Sequence, residues 1–231
     1  MPEKELEKPA VPSACDSELD KVAAFHPLGA LIAPGECGAG DAVMLESVIL
    51  PDATKVVLTP PATLRCTMAQ AVAQWVRDDV APAALKLGAP LRGLQNLGSY
   101  ECRGRDRVRG ATLSEHGRAN ALDVHAFRLA NGKTIVLADP KAPKDFREAV
   151  RTSACAHFST VLGPGSDSEH AEHVHVDLAE RRNNYKICEW DVREPVPPPP
   201  PQAAIAAAIP LDEVPLPRPR PLVATMSRRA K

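Results

Sequence analysis

Proline is spread so unevenly that it partitions the chain before any other feature: eleven of the 24 prolines fall between Pro195 and Pro221, in PVPPPPPQAAIAAAIPLDEVPLPRPRP. A run of five prolines fixes φ, removes amide donors and favours polyproline II, so this stretch joins neither a helix nor a sheet. Residues 193–231 therefore read as a proline-rich disordered tail, a semi-rigid spacer with a basic end, SRRAK. A proline-recognising partner or an anionic cell-wall surface is the alternative role for it, and its partner stays open. Residues 1–13 are charged and proline-containing as well, and read as a flexible N-terminal segment, which leaves 14–192 as one folded domain. Lys+Arg of 28 against Asp+Glu of 29 supplies no basic field, which argues against a nucleic-acid partner. No apolar run approaches the roughly 18 residues a transmembrane segment needs. With aromatics at 3%, the core falls largely to Ala, Val and Leu.

Six cysteines, Cys15, Cys37, Cys66, Cys102, Cys155 and Cys188, all lie inside the folded unit, and none forms a C-x-x-C pair. Dispersed and even in number, they suggest disulfides and an oxidising compartment such as a bacterial periplasm or cell envelope; buried reduced thiols are the other reading. No basic segment followed by an apolar one is visible at the start of the chain, so no signal peptide is read there. Six cysteines allow about 15 pairings. The working guess is Cys15–Cys37 closing a local loop, Cys66–Cys155 stapling two helices, and Cys102–Cys188 tying the last element to an arginine-rich loop.

Helical periodicity predicts a short helix over 16–25, with Leu19, Val22 and Ala23 on one face and Pro27 as its stop. The best helix follows a capping box at Thr67 and buries Met68, Ala71, Val72, Trp75 and Val76, with Pro82 breaking or restarting it and Gly88 ending it. A third runs over about 145–161, burying Phe146, Ala149, Val150, Ala154 and Phe158, with Gly163 as terminator. Strand patterns occupy 55–58, 91–100, 121–129, 133–138 and 173–178. Asn131-Gly132 supplies the positive φ values of a tight hairpin turn between two of them. Without regular βαβ alternation, the fold class is α+β, a small antiparallel sheet with flanking helices.

Histidine carries the chemistry, because five of the seven, His116, His125, His170, His173 and His175, sit in two short segments. One reads Ser114-Glu-His116-Gly-Arg-Ala-Asn-Ala-Leu-Asp123 and the other His170-Ala-Glu172-His173-Val-His175-Val-Asp177. On an extended segment His173 and His175 point to one face, and His116 and Asp123 bracket a turn that returns both to one locus. Two imidazoles, a carboxylate and an open position are the pattern of catalytic Zn2+, which acidifies a water and polarises a carbonyl. Asp177 is in phase to orient a ligand imidazole. His125 is in phase with Asp123 but reads first as a core or rim histidine, His170 as a neighbour of the metal site, a substrate-binding residue or an ordinary loop histidine, and Gly163-Pro-Gly165 as a tight turn first and a substrate loop second.

The pattern Ser114-x-His116-x-x-Ala119-x-Ala121-x-Asp123, then His173-x-His175, resembles the zinc motif of the lysostaphin and D-Ala-D-Ala metallopeptidase group. The stretches ECGAG, PPATLRC, LGSYECR, LSEHGRANALDVHAF and VLGPGSDSEHAEHVHVDLA more specifically resemble the bacterial extensin-like C-terminal domain, over about Cys15 to Cys188. The resemblance implies a metallopeptidase-like fold acting on peptidoglycan stem peptides. It makes His116, Asp123 and His175 the zinc ligands, places Ser114 close behind them, and leaves His173 or Glu172 as the base. Ala119 stands where the group has Gly, which is tolerable unless that residue needs positive φ. Arg103 sits where related peptidases keep an arginine for the oxyanion or a substrate carboxylate; a surface arginine in RGRDRVR is the alternative. Strand geometry favours His173 as base, and the spacing of the related peptidases favours Glu172.

The leading expectation is a zinc-dependent hydrolase of peptidoglycan stem-peptide or cross-link amide bonds. The alternative is a non-catalytic cell-wall-binding or structural protein on the same fold. A cysteine nucleophile comes third, because it needs a thiol outside the disulfides.

Overall fold

Helix α2 (Cys66–Trp75) forms where the apolar stripe predicts it, with Met68, Val72 and Trp75 buried and Ala71 half-buried. The computed structural model describes residues 14–192 other than 106, 107 and 109, so the expectations for segment 1–13 and for tail 193–231 lie outside the described residues. The capping box is not used: α2 starts at Cys66, Arg65 stands at the N-cap in extended conformation, and Thr67 is already inside the first turn. A π-helical turn (Val76–Val80) leads into α3 (Ala81–Leu85), whose Pro82 sits in the first turn, where a missing N–H costs nothing.

The first helix is shorter than predicted, α1 (Ala14–Leu19), because Ala23 and Phe25 belong to strand β1 (Ala23–Ile32), paired antiparallel with β2 (Gly38–Ile49). Pro27 stops nothing. It lies on a strand at the end of the sheet, where an absent donor is tolerated. Then follow β3 (Lys55–Arg65), β4 (Leu91–Gly98), β5 (Ala121–Leu129), β6 (Thr134–Val136), helix α4 (Lys144–His157), β7 (Thr160–Leu162), β8 (Val174–Asp177) and β9 (Ile187–Glu189). Among the described residues the strands form one nine-stranded sheet in the order β1-β2-β3-β4-β5-β8-β7-β9, with β6 paired to β5.

The α+β class holds, but the sheet is larger than expected and mixed: β3–β4 and β7–β9 are parallel pairs. A parallel neighbour needs a crossover, and α2, the π-helical turn and α3 supply the one between β3 and β4. The β5–β6 hairpin forms at Asn131-Gly132, yet only Gly132 takes positive φ (84°). Leu129 N donates to Lys133 O and Gly132 N to Leu129 O, so the turn holds three residues, and the Asn131 side chain accepts from Lys133 N.

The last predicted helix ends at His157, before the expected Gly163, because residues 160–162 form β7, and Ala149 is exposed. Few as they are, the aromatics concentrate in the core. Trp75 meets Phe127 and Phe158 edge-on at 6.0 and 5.4 Å, Phe127 meets Phe146 at 5.9 Å, and Trp75 Nε1 donates to Ser153.

The six cysteines form three disulfides, Cys15–Cys66, Cys37–Cys102 and Cys155–Cys188, and all three guessed pairings are wrong. Cys15 lies on α1 and Cys66 opens α2, and these helices pack together, so the fold sets Cys66 beside Cys15 rather than Cys155. Cys37 sits in the β1–β2 connection, which folds against the segment after β4 that carries Cys102; Leu31, Ala39 and Ala42 pack there with Tyr100. Cys155 on α4 meets Cys188 on β9 because β9 runs alongside β7, the strand that follows α4. Three disulfides indicate a non-reducing, extracytoplasmic environment. Among the described residues no helix is long and apolar enough to cross a membrane.

Candidate metal centre

The segment ahead of β5 is a short 3₁₀ turn, Glu115–Arg118, opened by Ser114, whose hydroxyl accepts from His116 N at 3.3 Å. Ala119 closes the turn in the left-handed region (φ 52°) and is fully buried, so the chain reverses and Asp123 returns on β5 to the side of His116. The position where the resemblance puts glycine does need positive φ, and alanine fills it.

Sheet register brings the other partners. Asp123 on β5 lies directly opposite His175 on β8 and opposite Gly98 on β4. A Cβ at Gly98 would stand 3.0 Å from Asp123 Oδ2, so that glycine makes room for the carboxylate. His116 Nε2 is 3.1 Å from Asp123 Oδ1 and 3.2 Å from His175 Nδ1, and His175 Nδ1 is 3.0 Å from Asp123 Oδ1. All three side chains are nearly buried.

The remaining ring nitrogens are committed elsewhere. His116 Nδ1 donates to the Ser99 carbonyl, and His175 Nε2 to Asp177 Oδ2 at 3.1 Å. Each ring is thereby held with its other nitrogen toward the common point, the arrangement of outer partners that metal-bound histidines keep. Burial alone would raise the Asp123 carboxyl; hydrogen bonds from His116, His173 and His175 outweigh it and hold the group far below the usual carboxylate range. Burial also opposes charge on His175, but Asp123 and Asp177 push it up to about 9. Asp177 stays low despite its burial, through His175 and Thr160.

The donor set fits a small divalent ion. Bonds of about 2.0–2.1 Å in a tetrahedron put ligand atoms roughly 3.3 Å apart, close to the spacings observed, and two imidazoles suit zinc far better than calcium or magnesium. His116, Asp123 and His175 thus form a possible metal-binding group.

These residues open on a cleft of about 370 Å³. His173, just ahead of β8, brings Nε2 to 3.4 Å from Asp123 Oδ1. His170 lies behind it, ring centres 5.4 Å apart, with Nδ1 2.7 Å from Asp167; burial lowers its pKa against the pull of that carboxylate. Arg103 lines the cleft, its Nε donating to Glu101 at 2.9 Å, so it is not simply a surface arginine. Glu172 is exposed and outside the cleft lining, and its backbone carbonyl pairs with His125 Nδ1, which holds His125 away from the metal group.

The sequence reading missed Gly98, Ser99, Thr160 and Arg181. LGSYECR contained the first two, but only strand register reveals what they face. Leu97, Leu162 and Ile187 add apolar wall to the cleft.

A family model described as Extensin-like protein C-terminus matches residues 13–189. Comparison with curated proteins and with solved structures gives no match.

Proposed function

The chain belongs to the Extensin-like protein C-terminus family, and from that premise we propose that it is a zinc-dependent peptidase of peptidoglycan stem peptides or cross-links, working in the periplasm or cell envelope. The observation that carries this reading is the convergence of His116, Asp123 and His175 at the base of an open cleft. Those three residues would hold the ion, as in the lysostaphin and D-Ala-D-Ala peptidases that the motif resembles. Bound there, zinc supplies Lewis acidity toward a water and a peptide carbonyl.

The chain's own groups do the rest. His173 Nε2 faces the cleft beside Asp123 and takes the proton of the attacking water, then returns it to the leaving amine. Arg103, steadied by Glu101, donates to the developing oxyanion or to a substrate carboxylate. The apolar wall receives small side chains of the peptide. Glu172, exposed and outside the cleft, has no part in these steps.

Purified sacculi incubated with the full chain, with and without chelator, test the reading. Mass spectrometry should show peptide fragments released by wild type, and none with chelator or with His116→Ala. Retention on sacculi without any released fragment would replace it with the non-catalytic wall-binding reading.

A further inference from the structure

Thr160 and Arg181 have no role in the chemistry above, yet they end a line of hydrogen bonds that starts at a metal-site imidazole. On β7, Thr160 lies directly opposite Asp177 of β8, and both are buried. Its hydroxyl donates to Asp177 Oδ1, and the other carboxylate oxygen accepts from His175 Nε2 at 3.1 Å. Arg181 in turn donates to Thr160 Oγ1 at 2.7 Å and to the Ser159 carbonyl at 3.2 Å.

We propose that Thr160, oriented by Arg181, is a positioning residue that fixes the Asp177 carboxylate against His175 Nε2 and so keeps Nδ1 turned toward His116 and Asp123, an inference that rests on the metal-centre reading. The direction follows from what each group can do. A guanidinium only donates, so it occupies a lone pair of the Thr160 oxygen and turns the hydroxyl proton toward Asp177. An ionised carboxylate only accepts, so Asp177 requires a proton on His175 Nε2. A neutral His175 then carries its lone pair on Nδ1, the nitrogen that meets His116 and Asp123. Ala179 N also donates to Asp177 Oδ1 at 2.9 Å, so the carboxylate has both oxygens engaged, and the hydroxyl is the contact that links it to the cleft arginine.

Zinc affinity of the full chain, measured by competition with a chromogenic chelator, tests this together with long-range proton–nitrogen spectra of the histidine rings in metal-free protein. Thr160→Val is nearly isosteric and suits a strand. It should weaken zinc by about 10–100-fold, the usual cost of losing a partner behind a metal ligand, and remove the exchange protection of the His175 Nε2–H signal. Thr160→Ser should restore both, and Arg181→Met should move both in the direction of valine by less. A wild-type chain that binds no zinc, yet loses the ring protection in Thr160→Val and regains it in Thr160→Ser, would retire the peptidase reading and leave the relay standing. Unchanged zinc affinity and an unchanged ring signal in Thr160→Val would overturn the relay, as would a serine variant that recovers neither.

Discussion

Three imidazole nitrogens approach one oxygen, Asp123 Oδ1, but only two of them have their other ring nitrogen committed to a fixed acceptor. On the proposed reading, that asymmetry separates ligands from base. His116 and His175 have both ring nitrogens engaged, whereas His173 meets Asp123 through Nε2 alone among the contacts of the described residues. If His173 is the base, His173→Ala should keep its zinc and lose at least about 10²-fold in kcat, a typical general-base contribution, while Glu172→Gln stays near wild type; the reverse pattern in metal-replete steady-state assays would transfer the role to Glu172. His175 carries its proton up to about pH 9 in the metal-free protein, and zinc must displace it. Apparent zinc affinity should therefore climb about tenfold per pH unit as pH rises toward about 9 and level off above, as competition titrations at several pH values would show.

At the scale of elements, what could be read in the sequence depended on whether a signal was local. The possible metal-binding group His116, Asp123 and His175 is legible because its members fall in two segments with short internal spacing, and α2 because Met68, Val72 and Trp75 repeat at helical intervals. Strands β1 and β2 escaped notice, since Pro27, Gly29, Gly38 and Gly40 break any alternation there, and β7 was absorbed into the apolar end of α4. Thr160 and Arg181 were invisible for a different reason: their meeting is set by strand pairing, which no local pattern encodes. The turn at Ala119 was legible as a departure from glycine. A non-glycine residue in the left-handed region costs about 1–2 kcal/mol, against which glycine would lose a buried methyl of about 0.8 kcal/mol and some backbone entropy. Ala119→Gly should thus unfold within about 1 kcal/mol of wild type in urea, whereas Ala119→Val, β-branched at positive φ in a filled site, should lose more than about 3 kcal/mol.

For the molecule as a whole, the main core of the described residues runs from Leu19 to Val192, and the tail's sequence lacks the apolar periodicity to join it. Deleting Pro195–Lys231 should leave the melting temperature within about 3 °C of the full chain, as calorimetry would reveal. Each disulfide closes a long loop, with sequence separations of 51, 65 and 33, and is worth about 4 kcal/mol on the loop-closure account. The first two loops interleave: Cys37 lies within the span Cys15–Cys66, and Cys66 within Cys37–Cys102. A chain whose thiols oxidise in the order they are presented joins Cys15 to Cys37 and Cys66 to Cys102 first, and both bonds must then be broken. On that order of oxidation, maturation takes exchange as well as oxidation. Reduced chain returned to native conditions in a glutathione buffer, or with an isomerase, should recover the three native bonds; air or a thiol-free oxidant should strand much of it as the nearest-neighbour isomer, visible by peptide mapping.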